Sequence, residues 1–198
     1  MNTKLLRKTV LGVAGLAFAG GVVGGPVGTV LDNPAHAAPT TPVAAVQAEK
    51  PDAGKLIPNG VQGDQSRIPL DAEQTANVKA IIEATKKAGM DERAAVVAIA
   101  TSLQESKLEN LGHLGDRNDH DSQGLFQQRP SSGWGTVEQI TDPEYSTTAF
   151  LKGLKQVDGW KDMPLTQAAQ TVQVSAYPDH YAQWEKQAAD LVAEHWNS

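Results

Sequence analysis

The stretch from Asp91 to Leu108, DERAAVVAIATSLQESKL, restricts the fold more than any other part of the chain. Asp91 is a helix-capping residue type, and the sequence predicts a helix from Glu92 to about Leu108 behind it. Val96, Ile99, Ala100 and Leu103 recur at helical spacing and are expected in a core. Ala94, Ala98, Thr101, Ser102 and Glu105 share another side, because residues three and four apart are neighbours on a helix. Every member of that side before Glu105 is small. The pattern suits a cleft wall that another segment or a ligand approaches closely, with a carboxylate at its end. A carboxyl desolvated in such a place is expected to keep its proton near neutral pH. Taken alone, the position is more often that of a solvated glutamate, slightly misplaced against a helix dipole that favours cations at that end.

Helical signals continue on both sides. Asp71 predicts a helix to about Ala88, ended by Gly89. Asp142-Pro143 places a capping side chain before a proline at the first helical position, and that helix is expected to run to about Val157. Pro164 opens another to about Val174, and Pro178-Asp179 opens a last one with Tyr181, Trp184, Ala188, Leu191 and Val192 as its apolar stripe. Trp160 and Trp184 are expected in the core. Asn110 to Pro130 is polar and glycine-rich, so it reads as a long loop with room for a small β-hairpin between Gly112 and Phe126. The fold class expected is all-α.

The N-terminus reads as a targeting segment. Lys4, Arg7 and Lys8 precede an uncharged run from Thr9 to Leu31, and Ala35-His36-Ala37 supplies the small residues of a signal-peptidase site. Cleavage is expected after Ala37, making residues 1–37 a signal peptide; an uncleaved anchor is the alternative. Residues 38–69 mix Pro, Ala, Thr and Gly without a sustained apolar period, so a flexible linker is expected ahead of a domain at 70–198. The whole chain carries a formal charge of −6; loss of residues 1–37 removes three of its 17 basic and one of its 23 acidic residues, leaving −8. That balance gives no electrostatic footprint for nucleic acid. No later segment is apolar enough to span a membrane, and a monomer is expected. With no cysteine, disulfides, thiolate nucleophiles and cysteine-ligated zinc are excluded.

Three short elements recur in a telling order: Gln104-Glu105-Ser106, then Ser122-Gln123-Gly124-Leu125-Phe126-Gln127-Gln128, then Ser175-Ala176-Tyr177. Together they resemble the lysozyme-like superfamily, specifically its soluble lytic transglycosylase and goose-type lysozyme branch. The stretch from about Val96 to Trp184 also resembles a small exported domain of actinobacterial type. The resemblance implies a lysozyme-like helical fold, export to the cell wall, peptidoglycan glycan strands as partner and no cofactor. It implies that Glu105 is the general acid for cleavage between MurNAc and GlcNAc, that Ser106 helps hold the glycan, and that Gly124 lets the backbone approach the sugar. Gln127 is then a hydrogen-bonding group at the cleft, and Tyr177 the residue that reaches towards Glu105. Two departures stand out. Phe126 replaces the methionine usual in the turn, and Pro178 replaces the asparagine that usually follows the tyrosine.

The loop GHLGDRNDHDSQG gathers His113, Asp116, Asn118, Asp119, His120 and Asp121. Neither register of a calcium loop fits, since one puts Asp121 where glycine is required and the other puts Pro130 where the bidentate glutamate belongs. The histidine spacing matches no strong zinc pattern, so no metal site is expected. Asp119 or Asp121 could instead position a water opposite Glu105, which would make an inverting hydrolase with carboxyls ~6.5–9.5 Å apart. A plain solvated turn is the other reading. Trp134, flanked by glycines, suits a sugar-stacking platform or the edge of a core equally well. The functions expected are thus a single-glutamate transglycosylase, an inverting hydrolase, or a wall-binding or morphogenetic protein that lost turnover.

Overall fold

The structure is a computed structural model that describes residues 49–115 and 120–198. Side-chain caps start its helices where capping residues stand in the sequence. Asp71 accepts from the Gln74 amide at 2.8 Å while the Gln74 side chain accepts from the Asp71 amide at 2.8 Å. That reciprocal box opens α1 (Ala72–Lys87). Asp91 caps α2 (Glu92–Ser106), Thr136 caps the short α3 (Val137–Ile140), and Asp142 with Pro143 opens α4 (Pro143–Leu154). Then follow α5 (Leu165–Gln173) and α6 (Glu185–His195), the latter preceded by a 3-10 turn at His180–Trp184. The fold is all-α.

Helix α2 is the axle. Every residue from Arg93 to Leu103 is buried, and α1, α4, α5, α6 and the 180–184 turn all pack on it. A helix that is apolar or small all round belongs inside a domain. This corrects the expectation of a small-residue cleft wall: Ala94, Ala98, Thr101 and Ser102 meet other helices, and only the last turn of α2 reaches a surface groove. The helix also stops earlier than expected, at Ser106, because Lys107 and Leu108 take left-handed backbone (φ 57° and 64°). Their amides turn back to the carbonyls of Leu103 and Ser102. Lys107 completes the end by donating its Nζ to the Leu103 and Gln104 carbonyls, 4.7 Å from the centre of the Trp184 ring.

The expected linker is corrected over its described part. Leu56, Ile57 and Ile68 pack on the core. The side chain of Gln187 brackets Ile68, accepting from its amide at 3.0 Å and donating to its carbonyl at 2.8 Å. Arg93 donates to the Leu56 carbonyl at 2.9 Å. These apolar residues follow no period, so the segment carries no helical or strand signal; long-range polar bonds to the backbone hold it. The expected signal peptide, its cleavage site and residues 38–48 lie outside the described residues. The expected hairpin lies partly outside the described residues; among those described, Gln123 and Gln128 form an antiparallel bridge, with both bonds at 3.0 Å. No helix among the described residues is long and apolar enough to cross a membrane.

Candidate functional site

The last turn of α2 delivers Glu105 to a groove of about 710 Å³, within the range of small-ligand sites. The opposite sides come from the 122–134 loop, through Gln127, Arg129 and Trp134, and from the end of α5, through Gln173, Val174 and Tyr177. Two buried contacts hold that loop to the helices. The Gln128 side chain donates through Nε2 to the Ser146 carbonyl of α4 at 3.1 Å, and the ring of Phe126 stacks on Phe150 at 5.1 Å. Gln173 donates to the Phe126 carbonyl at 2.9 Å and joins α5 to the same loop. The groove is therefore walled largely by loop segments that are tied to helices α4 and α5.

Glu105 is half-buried, and a phenol reaches it from the core side: Tyr181 donates its hydroxyl to Glu105 Oε1 at 2.6 Å. The Tyr181 side chain is fully buried. Burial, the Glu105 charge and this hydrogen bond together raise the Tyr181 pKa, against the opposing hydrogen bond of Ser175, so the phenol stays a donor across the neutral range. Next to Glu105, Gln104 Oε1 accepts from Trp184 Nε1 at 2.9 Å and from Gln183 Nε2 at 3.0 Å. That node fixes the 180–184 turn, and with it Tyr181, against the end of α2. Lys107 supplies a nearby cation; burial lowers its pKa and the Glu105 charge acts in the opposite sense.

No known protein-family model matches the chain, and no curated protein matches it in sequence.

The residues singled out from sequence divide into two groups. Glu105, Gln127, Trp134 and Tyr177 line one groove. Gln127 sits there with a left-handed backbone (φ 46°) and donates its side-chain Nε2 to the Gly124 carbonyl at 3.0 Å. Trp134 is held through its carbonyl by the Tyr145 hydroxyl at 3.3 Å. The other group shapes the site from behind. Ser106 is buried and donates to the Leu125 carbonyl at 2.8 Å, so it latches the loop to α2 and does not line the groove. Gly124 (φ 76°) serves a close approach to protein, not to ligand: a Cβ there would lie 2.0 Å from the Ile140 carbonyl oxygen. Asp121 accepts from the Ser131 amide and hydroxyl, both at 2.8 Å, and those bonds hold its carboxyl below the usual carboxylate range. It therefore pins the turn at Pro130–Ser132 and is not among the groove-lining residues.

The tyrosine assignment needs correction. Tyr177 does not grip Glu105; it stands 63% exposed with its ring stacked on His180 at 4.9 Å. The residue that grips the carboxylate is Tyr181, which periodicity places in an apolar stripe. Nothing in that stripe marks one phenol as functional. Arg129, Gln173 and Val174 were also not expected in the groove. Among the described residues no three His, Asp or Glu side chains are grouped to hold a metal, and His113 Nδ1 accepts from the Gly115 amide at 3.0 Å.

Proposed function

We propose that this is an exported, wall-associated lytic transglycosylase that cleaves the MurNAc–GlcNAc bond of peptidoglycan with Glu105 as its one catalytic carboxyl. The observation that carries the proposal is the grip of a buried, protonated phenol on a half-buried glutamate at the wall of a sugar-sized groove. In the first step Glu105 gives its proton to the glycosidic oxygen as the C1–O bond breaks. Tyr181 stabilises the carboxylate this leaves by a charge-assisted hydrogen bond. In the second step the carboxylate takes the proton from the muramic acid's own 6-hydroxyl as that oxygen bonds to C1. The 1,6-anhydro ring closes, and Glu105 is protonated again. One residue serves as acid and then base, so no second carboxylate is needed.

Two features favour this over inverting hydrolysis. Glu105 is the only carboxylate lining the groove among the described residues. Asp121, one of the two candidates for positioning a water, engages both of its oxygens with Ser131; the other, Asp119, lies outside the described residues. The remaining polar lining of amides, hydroxyls and the Arg129 guanidinium suits an amide-bearing, weakly acidic sugar chain. Digestion of purified sacculi followed by mass spectrometry tests the reading. Anhydro-muramyl ends support it, new reducing ends indicate a hydrolase, and retention on sacculi without products indicates a non-catalytic binder. Glu105→Gln is expected to lower release at least about 10²-fold while sacculus binding persists; an unchanged rate removes Glu105 from the mechanism.

A further inference from the structure

Helix α5 ends on Val174, whose backbone is left-handed (φ 53°, ψ 46°). Helices commonly end this way on glycine or asparagine. A β-branched side chain in that region crowds the backbone and is a genuine outlier. Val174 is the only β-branched residue with positive φ among the described residues. Surrounding bonds hold it there. Its amide donates to the Gln170 carbonyl at 2.8 Å, and the Gln170 side chain brackets the next residue, accepting from the Ser175 amide at 3.2 Å and donating to the Ser175 carbonyl at 2.8 Å. Such strain survives only where its surroundings over-determine it, and it concentrates at functional sites.

The strained side chain gains nothing from packing inside the protein. Val174 is 79% exposed, at the edge of the groove that contains Glu105. Three residues on, Tyr177 stands at the same edge, its ring oriented by the parallel stack on His180 (interplanar angle 14°). An asparagine at position 174 would relieve the backbone and suit the water. The valine does neither, which leaves its apolar surface open at the groove.

We infer that Val174 is a substrate-contact residue that, with Tyr177, forms an apolar lip for the N-acyl methyl group of an acylated amino sugar. The inference rests on the proposed function and adds the part of the substrate that this wall reads. A peptidoglycan strand is polar almost throughout; its acyl methyls are among the few apolar groups that project from it. The lip meets one of these and leaves the sugar hydroxyls to the amides of the opposite wall.

Binding is measured by calorimetry in the Glu105→Gln background, so that no cleavage occurs, with a defined MurNAc–GlcNAc tetrasaccharide and with its N-formyl counterpart, which lacks only the methyl groups. Val174→Asn is expected to raise the dissociation constant about tenfold, the scale of one apolar group in a recognition site. It is also expected to raise the melting temperature by about 2–4 °C through relief of strain. Val174→Ile keeps both the contact and the affinity. The N-formyl glycan binds the parent about tenfold more weakly and Val174→Asn no more weakly than the acetylated one does. Equal affinity of parent and Val174→Asn for the acetylated glycan overturns the lip, and a lower melting temperature of Val174→Asn overturns the strain argument. If the folded parent binds neither glycan, the transglycosylase reading itself falls and this inference falls with it.

Discussion

Replacing Tyr181 by Phe isolates one atom. The ring is fully buried and keeps its shape, while the hydroxyl that meets Glu105 Oε1 at 2.6 Å is lost. A hydrogen bond to a charged group contributes about 1.5–3 kcal/mol. In the proposed reaction the full value applies only while Glu105 is ionised, between acid and base steps, so the loss falls on turnover. At about 1.36 kcal/mol per tenfold in rate, the expected decrease is between about 10- and 150-fold. Stability should change far less. One neutral donor removed costs about 1 kcal/mol, or about 2–4 °C in melting temperature for a chain of this size. The assay is the initial rate of anhydro-muropeptide release from sacculi, measured beside the Tyr177→Phe protein. Tyr177→Phe keeps the ring that forms the lip and removes a hydroxyl that makes no hydrogen bond to Glu105, so this variant should release product within about twofold of wild type. A Tyr181→Phe enzyme at the wild-type rate, or a Tyr177→Phe enzyme equally impaired, would refute the reasoning.

Other consequences follow from the same geometry. Gly124→Ala forces a Cβ against the Ile140 carbonyl at 2.0 Å in a left-handed backbone; it should cost at least about 3 kcal/mol, read by calorimetry as a fall of about 6–12 °C. The Arg93–Glu185 pair is buried at 2.7 Å, with Arg93 Nε and Nη2 and Glu185 Oε2 lacking partners. Removing either charge alone should cost about 3–5 kcal/mol, and the Arg93→Met, Glu185→Leu double variant less than either single change, in a denaturation double-mutant cycle. Because the Ser131 hydrogen bonds hold the folded Asp121 carboxyl below the usual carboxylate range, its clasp on Ser131 is present above that range and is lost as pH falls through the folded, lowered pKa. Hydrogen exchange at the Ser131 amide should therefore accelerate in acid beyond the intrinsic trend, and Asp121→Asn should show the fast behaviour already at neutral pH.

What could be read in the sequence was what is local. Capping side chains at Asp71, Asp91 and Asp142 act on amides three residues away, so the start of α1, α2 and α4 needed no tertiary information. The placement of Glu105 at the end of a helix followed from the same short-range rules. The end of α2 was less legible, because Lys107 and Leu108 are not residue types that announce a left-handed turn; Lys107 reaches that conformation with its ammonium on the helix carbonyls and on Trp184. The short α3 was missed, since one turn of helix carries no period to detect.

Residues 53–69 lack any periodic pattern, yet they are held by Gln187, Gln183 and Arg93, which lie far away in sequence. Tyr177 and Tyr181 differ by four positions, and only the 3-10 turn at His180–Trp184, tied down by Gln104, aims the second at Glu105 and leaves the first on the groove edge. The amino-acid sequence by itself determined a helical, cysteine-free domain with a carboxylate near the end of an alanine-rich, apolar helix. Tertiary structure decided which phenol holds that carboxylate, which glycine and serine brace the loop from behind, and that a strained valine stands at the rim. The reason is physical. Helix phase and caps depend on neighbours within one turn, whereas the partner of a buried polar atom depends on how distant elements pack.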